Sequence, residues 1–206
     1  SRMVYYLETK STDPYYNLAF EEYVLTHRTE GDYLLLWQND NTVVVGRNQN
    51  TAEEINADFV EKHRINVVRR STGGGAVYHD MGNLNYSFIT DAGEKEELSF
   101  ARFTQPVVKA LCDLGLPASA SGRNDILVGD CKVSGTAQRL TGDRILHHGT
   151  LLFDSDPSMV AGALAVRPEK FQSKSAKSVR ARIGNIRGSI ISATLLTILP
   201  ELLRAF

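Results

Sequence analysis

Three consecutive glycines, Gly73, Gly74 and Gly75, stand directly after a β-prone run at residues 66–70, and that junction narrows what the chain can become. Each glycine costs backbone entropy on folding, so three in a row belong where the main chain takes unusual dihedrals or a ligand approaches it closely. The full stretch 69–80, Arg-Arg-Ser-Thr-Gly-Gly-Gly-Ala-Val-Tyr-His-Asp, sets two guanidinium forks before the glycines and a histidine and an aspartate after them. Free N–H groups beside arginines suit a phosphate or a carboxylate. Taken alone, the stretch reads equally well as a glycine-rich hairpin loop whose arginines face water. It matches neither G-x-x-x-x-G-K-[ST] nor a helix-opening G-x-G-x-x-G, so any phosphate here sits in a different loop architecture.

Around this junction, short β-prone runs alternate with amphipathic stretches. Residues 3–8 read as a first strand. Thr12 or Asp13 caps a helix with Pro14 in its first turn, and Tyr15, Leu18, Ala19 and Glu22 are expected on its inner face. Residues 33–37 and 42–45 read as paired strands, with Gln38-Asn39-Asp40-Asn41 as the turn. A helix is expected over 52–63 and a strand over 83–89 that pairs near the glycines. Phe100, Phe103, Val107, Leu111 and Leu114 then recur at helical steps up to Gly115, with Pro106 a point of division or kinking. Strands at 125–128, 132–138 and 145–153 follow. The helices are too few and the strands too consecutive for a doubly wound sheet. The expected class is therefore α+β, a mixed and largely antiparallel β-sheet core flanked by helices. At 206 residues and 42% hydrophobic, the chain is read as one domain, 1–206.

Charge and composition set the surroundings. A net charge of −1 gives no global pull toward nucleic acid or an anionic membrane, and no run approaches the roughly 18 apolar residues of a membrane span. Two cysteines, Cys112 and Cys131, are too few for a disulfide framework, which fits a reducing, cytoplasmic setting.

Three further clusters carry chemistry. In Ser121-Gly122-Arg123-Asn124-Asp125, Asn124 suits a base or phosphate and Asp125 suits Mg²⁺, while the same residues also make an ordinary Asx turn. In Cys131-Lys132-Val133-Ser134-Gly135-Thr136-Ala137, a regular strand puts Lys132 and Ser134 on one face and Val133 on the other. A lysine aimed into a pocket neutralises a carboxylate and a phosphate together; the plainer alternative is a surface lysine. His147-His148-Gly149-Thr150 leads into an apolar strand, where a turn histidine capping a core strand remains a fair reading of His147.

In their order and spacing these pieces resemble the lipoate–protein ligase A family. The likeness extends to Gly82-Asn83-x-Asn85-Tyr86-Ser87-Phe88, to Asn17-Leu18-Ala19-x-Glu21-Glu22 and to Val44-Val45-Gly46-Arg47-x-Gln49-Asn50. The resemblance implies the biotin/lipoate protein ligase fold and a two-step reaction. Lipoate and MgATP give lipoyl-AMP, which then acylates a lysine on lipoyl domains of 2-oxoacid dehydrogenase E2 subunits or on glycine-cleavage H protein. It implies that Arg70, Gly73, Gly74, Gly75, Val77, His79, Asn124, Ser134, Gly135, His148 and Thr150 line the lipoyl-AMP pocket. Lys132 would be catalytic, bridging the lipoyl carbonyl and the α-phosphate, and Asp125 would serve Mg²⁺. Trp37 and Val44 are candidates for the wall around the apolar tail. A basic run with no acid between Lys170 and Arg187 resembles the family segment that closes over the adenylate. Bacterial ligases of this type usually add a small accessory domain that is expected to be absent here. That implies either a separate accessory domain or subunit, or transfer of preformed lipoyl-AMP only. A different reading is an octanoyl- or lipoyltransferase of the same superfamily working through a thioester on Cys131 or Cys112.

Overall fold

The computed structural model describes residues 3–94 and 100–164 together with Pro200. The basic run at 170–187 lies outside the described residues. In chain order the elements are β1 (Val4–Leu7), α1 (Pro14–His27), β2 (Asp32–Trp37), β3 (Thr42–Val45), α2 (Thr51–Glu54), α3 (Ala57–Lys62), β4 (Asn66–Arg69) and β5 (Val77–His79). There follow β6 (Asn83–Asp91), α4 (Ala101–Asp113), β7 (Ala118–Ser121), β8 (Asp125–Val128), β9 (Cys131–Thr141), β10 (Arg144–Leu152) and α5 (Pro157–Leu164).

Seven strands form one sheet in the order β1-β2-β6-β10-β9-β8-β7, and β4-β3-β5 form a second. Only β1–β2 and β3–β4 are parallel; the other pairings are antiparallel, as expected for the mixed class. Every residue of β2 is buried, because helices cover both faces of the large sheet. Leu34 and Leu36 point into a core with Phe103, Val107 and Leu111 of α4, while Tyr33, Leu35 and Trp37 face Val24 and Leu25 of α1. The period-2 alternation of a strand sorts them. The small sheet has its own core of Val43, Val45, Ile65, Tyr78 and Ala163, with Phe59 of α3 and Val160 of α5 packed on it.

The local signals explain most element ends. Asp13 caps α1 by accepting from the Tyr15 N–H at 2.9 Å, and Pro14, which has no N–H to satisfy, opens the helix. Pro106 lies inside α4 without interrupting it, and Gly115 at φ +86° lets the chain leave the helix.

Three expectations fail for identifiable reasons. The strands at 33–37 and 42–45 do not pair: β2 joins the large sheet and β3 the small one, so residues 38–41 cross between sheets. Asn41 takes φ +46° there, and its amide donates to the His63 carbonyl at 3.1 Å. The strand β6 pairs β2 and β10 in the large sheet, not the glycine-bearing one. The inner face of α1 is Asn17, Glu21, Val24 and Leu25; Tyr15 and Ala19 are exposed, and Glu22 binds Arg139 at 2.7 Å on β9. Two of those four inner residues are polar, which erases the apolar stripe that marks a helix face.

Candidate functional site

One cavity of about 180 Å³ lies where the two sheets meet. Its walls come from separate elements: Leu18 of α1, Trp37 of β2, Val44 of β3, the loop from Arg70 to Ala76, and Val77 and His79 of β5. Asn124 and Asp125, then Lys132, Gly135 and Thr136, and finally His148, Gly149 and Thr150 complete it. Leu18, Trp37 and Val44 bring apolar side chains to its wall, and Lys132 and Asp125 bring a cation and a carboxylate. Every candidate residue lines this cavity except Ser134.

The exception has a local cause. Ile126 pairs with Ser134 but Leu127 pairs with Lys132, so Val133 is an extra residue, a β-bulge. The bulge breaks the alternation that would have put Lys132 and Ser134 on one face. Ser134 turns into the core, fully buried, with its hydroxyl 3.1 Å from that of Tyr86. Gly135 takes its place beside Lys132: a Cβ on Gly135 would lie 3.4 Å from the Lys132 Nζ. The Lys132 side chain is 55% exposed, and its ammonium stands 3.2 Å from the Asp125 carboxylate. Thr150 holds this corner by accepting the Gly135 N–H at 3.1 Å, and the Asn124 carbonyl accepts from the Thr136 N–H and hydroxyl.

The arginines are used differently from a pair of free forks. Arg69 grips the carbonyls of Gly46 and Gln49, fixing the neighbouring loop. Arg70 donates from Nε to Thr72 at 3.1 Å and from its terminal nitrogens to the carbonyls of Val44, Gly73 and Gly75. Carbonyl and following N–H point in opposite directions across a trans peptide. By holding the Gly73 and Gly75 carbonyls, Arg70 turns the Gly74 and Ala76 N–H groups away from itself. Gly74 needs its φ of +99°, which strains other residues. Cβ atoms at Gly73 and Gly75 would meet nothing within 4 Å, so there the missing side chains leave open room for a ligand.

Strand alternation separates the two histidines. His147 enters the α4 core, stacked on Phe103 at 4.8 Å, with Nδ1 2.7 Å from the Gln138 side-chain oxygen. This is the core-strand reading, and His147 lines no part of the cavity. His148 faces the cavity, its Nδ1 bonded to Glu21 and its Nε2 2.7 Å from the Thr72 hydroxyl. His79 accepts from Asn39 on Nδ1 at 3.1 Å, and burial, then the charges of Arg70 and His148, push its pKa down to about 3. Burial, then His148, lowers His147 to about 3 as well.

Both rings are therefore neutral in the folded protein near neutral pH, while the unfolded chain binds a proton on each below the ordinary value of about 6.5. The unfolded state then holds more protons, so stability falls as pH drops from 6.5 toward 3. At pH 5 each histidine lowers stability by about 2 kcal/mol relative to pH 8. Urea denaturation at the two pH values is expected to show a clearly lower midpoint at pH 5, and coincident midpoints would contradict the assignment.

Sequence reasoning missed several lining residues, including Asn85, Thr136 and Gly149, and the buried partners Glu21 and Thr72. Glu21 and Asn85 were visible only as members of short signatures. Gly149 has a steric signal in retrospect: a Cβ there would come 2.5 Å from the Tyr86 hydroxyl. Among the described residues, no three or more His, Cys, Asp or Glu side chains converge as a metal site, and no helix is long and apolar enough to cross a membrane.

Comparison with known proteins adds a family. Residues 13–206 match the model of the lipoyl protein ligase A/B catalytic domain. Lipoate–protein ligase 1 of Staphylococcus aureus is 51% identical over 177 residues, 85% of this chain and 54% of that protein. The chain thus spans about half the length of the curated relatives it matches. A crystal structure of lipoate-protein ligase A bound with ATP superposes with TM-score 0.77 at 27% identity, covering 95% of this chain and 85% of that one. The bi-partite lipoate protein ligase of Thermoplasma acidophilum, described with its E2 lipoyl domain, gives 0.72 at 31% identity, covering 95% and 83%.

Proposed function

The chain belongs to the lipoyl protein ligase A/B catalytic-domain family, and on that premise we propose that it activates lipoate with ATP and transfers the lipoyl group to a lysine of an acceptor protein. The observation that carries the proposal is a single cavity whose wall combines apolar side chains with cationic ones. Leu18, Trp37 and Val44 suit a hydrocarbon and dithiolane tail; Lys132 and the Arg70-held loop suit a carboxylate beside a phosphate.

In the first step a carboxylate oxygen attacks the α-phosphorus of ATP and pyrophosphate leaves. Two anions must approach, so positive charge at the meeting point lowers the barrier. Lys132 supplies a mobile point charge there, and the Gly74 and Ala76 N–H groups supply fixed dipoles. In the second step the acceptor amine attacks the acyl carbon, AMP leaves with the bond electrons, and the amine loses its proton to solvent. No protein nucleophile is consumed, so positioning and charge do the catalysis. Among the described residues, Asp125 is the one carboxylate that lines the cavity, and it suits Mg²⁺, which is usually held by one or two carboxylates together with substrate phosphates. There the ion would screen the phosphate charge.

The acceptors we assign are lipoyl domains of E2 subunits and glycine-cleavage H protein, in the cytoplasm, where ATP is available and Cys112 and Cys131 stay reduced. The Thermoplasma ligase supports this choice through its E2 lipoyl domain. The thioester alternative finds no support in the cavity, which neither cysteine lines.

The test is incubation with an apo-lipoyl domain, once with ATP, Mg²⁺ and lipoate and once with synthetic lipoyl-AMP, read by mass spectrometry of the acceptor. Lipoylation is expected both from lipoyl-AMP and from ATP, Mg²⁺ and lipoate. No modification from lipoyl-AMP would overturn the proposal.

A further inference from the structure

Glu21 is 3% exposed, and among the described residues its carboxylate bonds to no lysine or arginine. Its partners are the His148 Nδ1, at 3.0 and 3.1 Å, and the Ser87 hydroxyl, which in turn accepts the Trp37 Nε1–H at 2.8 Å. A carboxylate so deeply buried is costly unless its charge does something for the surrounding groups.

On the far side of His148 the bonds continue. His148 Nε2 meets the Thr72 hydroxyl at 2.7 Å, and the same hydroxyl accepts the Arg70 Nε–H at 3.1 Å. Arg70 then holds the Gly73 and Gly75 carbonyls at 2.8 and 2.7 Å. Arg70 takes one lone pair of the Thr72 hydroxyl, which shares a further hydrogen bond with His148 Nε2, and His148 Nδ1 shares one with the Glu21 carboxylate. The hydrogen bonds thus form one unbroken chain from half-buried Arg70 to buried Glu21. Glu21 also favours the charged form of Arg70, against the burial that lowers its pKa.

We propose that Glu21 is a positioning residue for the nucleotide half of the cavity, setting the shape of the triglycine loop through His148, Thr72 and Arg70. The inference rests on the acyl-adenylate reading of the site. Its rival is that Glu21, through Ser87 and Trp37, merely braces the apolar wall.

Binding separates the two. A non-hydrolysable lipoyl-adenylate analogue and lipoate alone are titrated calorimetrically into the wild type, Glu21→Gln, Thr72→Val, the double variant and Thr72→Ser. Each hydrogen bond to a charged group lost in the relay weakens the analogue about 10- to 100-fold. Glu21→Gln and Thr72→Val are each expected to do so, while lipoate affinity stays within about threefold. The double variant is expected to be no weaker than the worse single one, since both break one chain. Thr72→Ser keeps the hydroxyl and is expected to bind the analogue like the wild type. Equal losses for lipoate and analogue, or losses that multiply in the double variant, overturn the inference. If Glu21→Gln does not fold, the contrast between Thr72→Val and Thr72→Ser decides alone. A wild type that binds no analogue would instead bring down the acyl-adenylate reading itself.

Discussion

Lys132→Ala is expected to slow lipoyl transfer from preformed lipoyl-AMP to an acceptor lysine by about a thousandfold, since a charge aimed at a developing oxyanion is worth about 10²–10³ in rate. Its stem lies along Gly135, and its ammonium rests 3.2 Å from Asp125, half in solvent. A half-exposed ion pair stabilises a fold by little, about 0–1 kcal/mol, so the melting temperature is expected to move by no more than a few degrees. The loss is then chemical. With ATP as donor the same variant is expected to form no measurable lipoyl-AMP, because the lysine faces both the carboxylate and the phosphate. Lys132→Arg is expected to recover only part of the rate: a planar fork does not replace a compact ammonium beside a Gly135 corner with little space. Single-turnover transfer followed by mass spectrometry measures all three. A Lys132→Ala rate within tenfold of the wild type would remove the lysine from the mechanism.

Lys132 and its neighbours in the cavity were legible in the sequence, and the reason is local chemistry. Gly73-Gly74-Gly75, Asn124-Asp125, Lys132, His148 and Thr150 each stand out because an unusual residue type interrupts a β-prone run, and all of them reach one cavity. What was illegible depends on pairing between distant segments. Nothing in Val133 announces a bulge; it exists because Leu127 and Ile126 shift register against the next strand. The sheet change after Trp37 was hidden behind turn-forming residues that serve a hairpin and a crossover equally well. Glu21 escaped for a third reason. A charged residue on the inner face of α1 weakens the helical stripe, and its meaning appears only when His148, 127 positions later, arrives beside it.

Gly46→Ala is expected to disable the nucleotide end of the cavity while leaving the fold intact. A Cβ on Gly46 would lie 2.1 Å from the Gly74 carbonyl oxygen, a separation no real pair of atoms tolerates, so one backbone must withdraw by about 1 Å. Gly46 cannot be the one that moves. Its N–H donates to the Gln49 side chain at 2.7 Å, its carbonyl accepts from Arg69 at 2.7 Å, and it continues from the fully buried strand β3. Gly74 is exposed, in a loop tied down mainly by Arg70. The displacement therefore falls on the triglycine loop, prising the Gly73 and Gly75 carbonyls from the guanidinium and swinging the Gly74 and Ala76 N–H groups off target. A 1 Å misplacement of a positioning element costs on the order of a hundredfold in rate. Accordingly, lipoyl transfer and adenylate-analogue affinity are both expected to fall about 10²-fold, whereas lipoate, which has no phosphate for those N–H groups, keeps most of its affinity. The urea midpoint is expected to stay close to the wild type, because the clash is relieved in solvent and not in a core. A variant that instead unfolds at much lower urea would mean that the glycine loop, not β3, is the rigid partner, and the assignment of that loop as an adjustable anion cradle would be wrong.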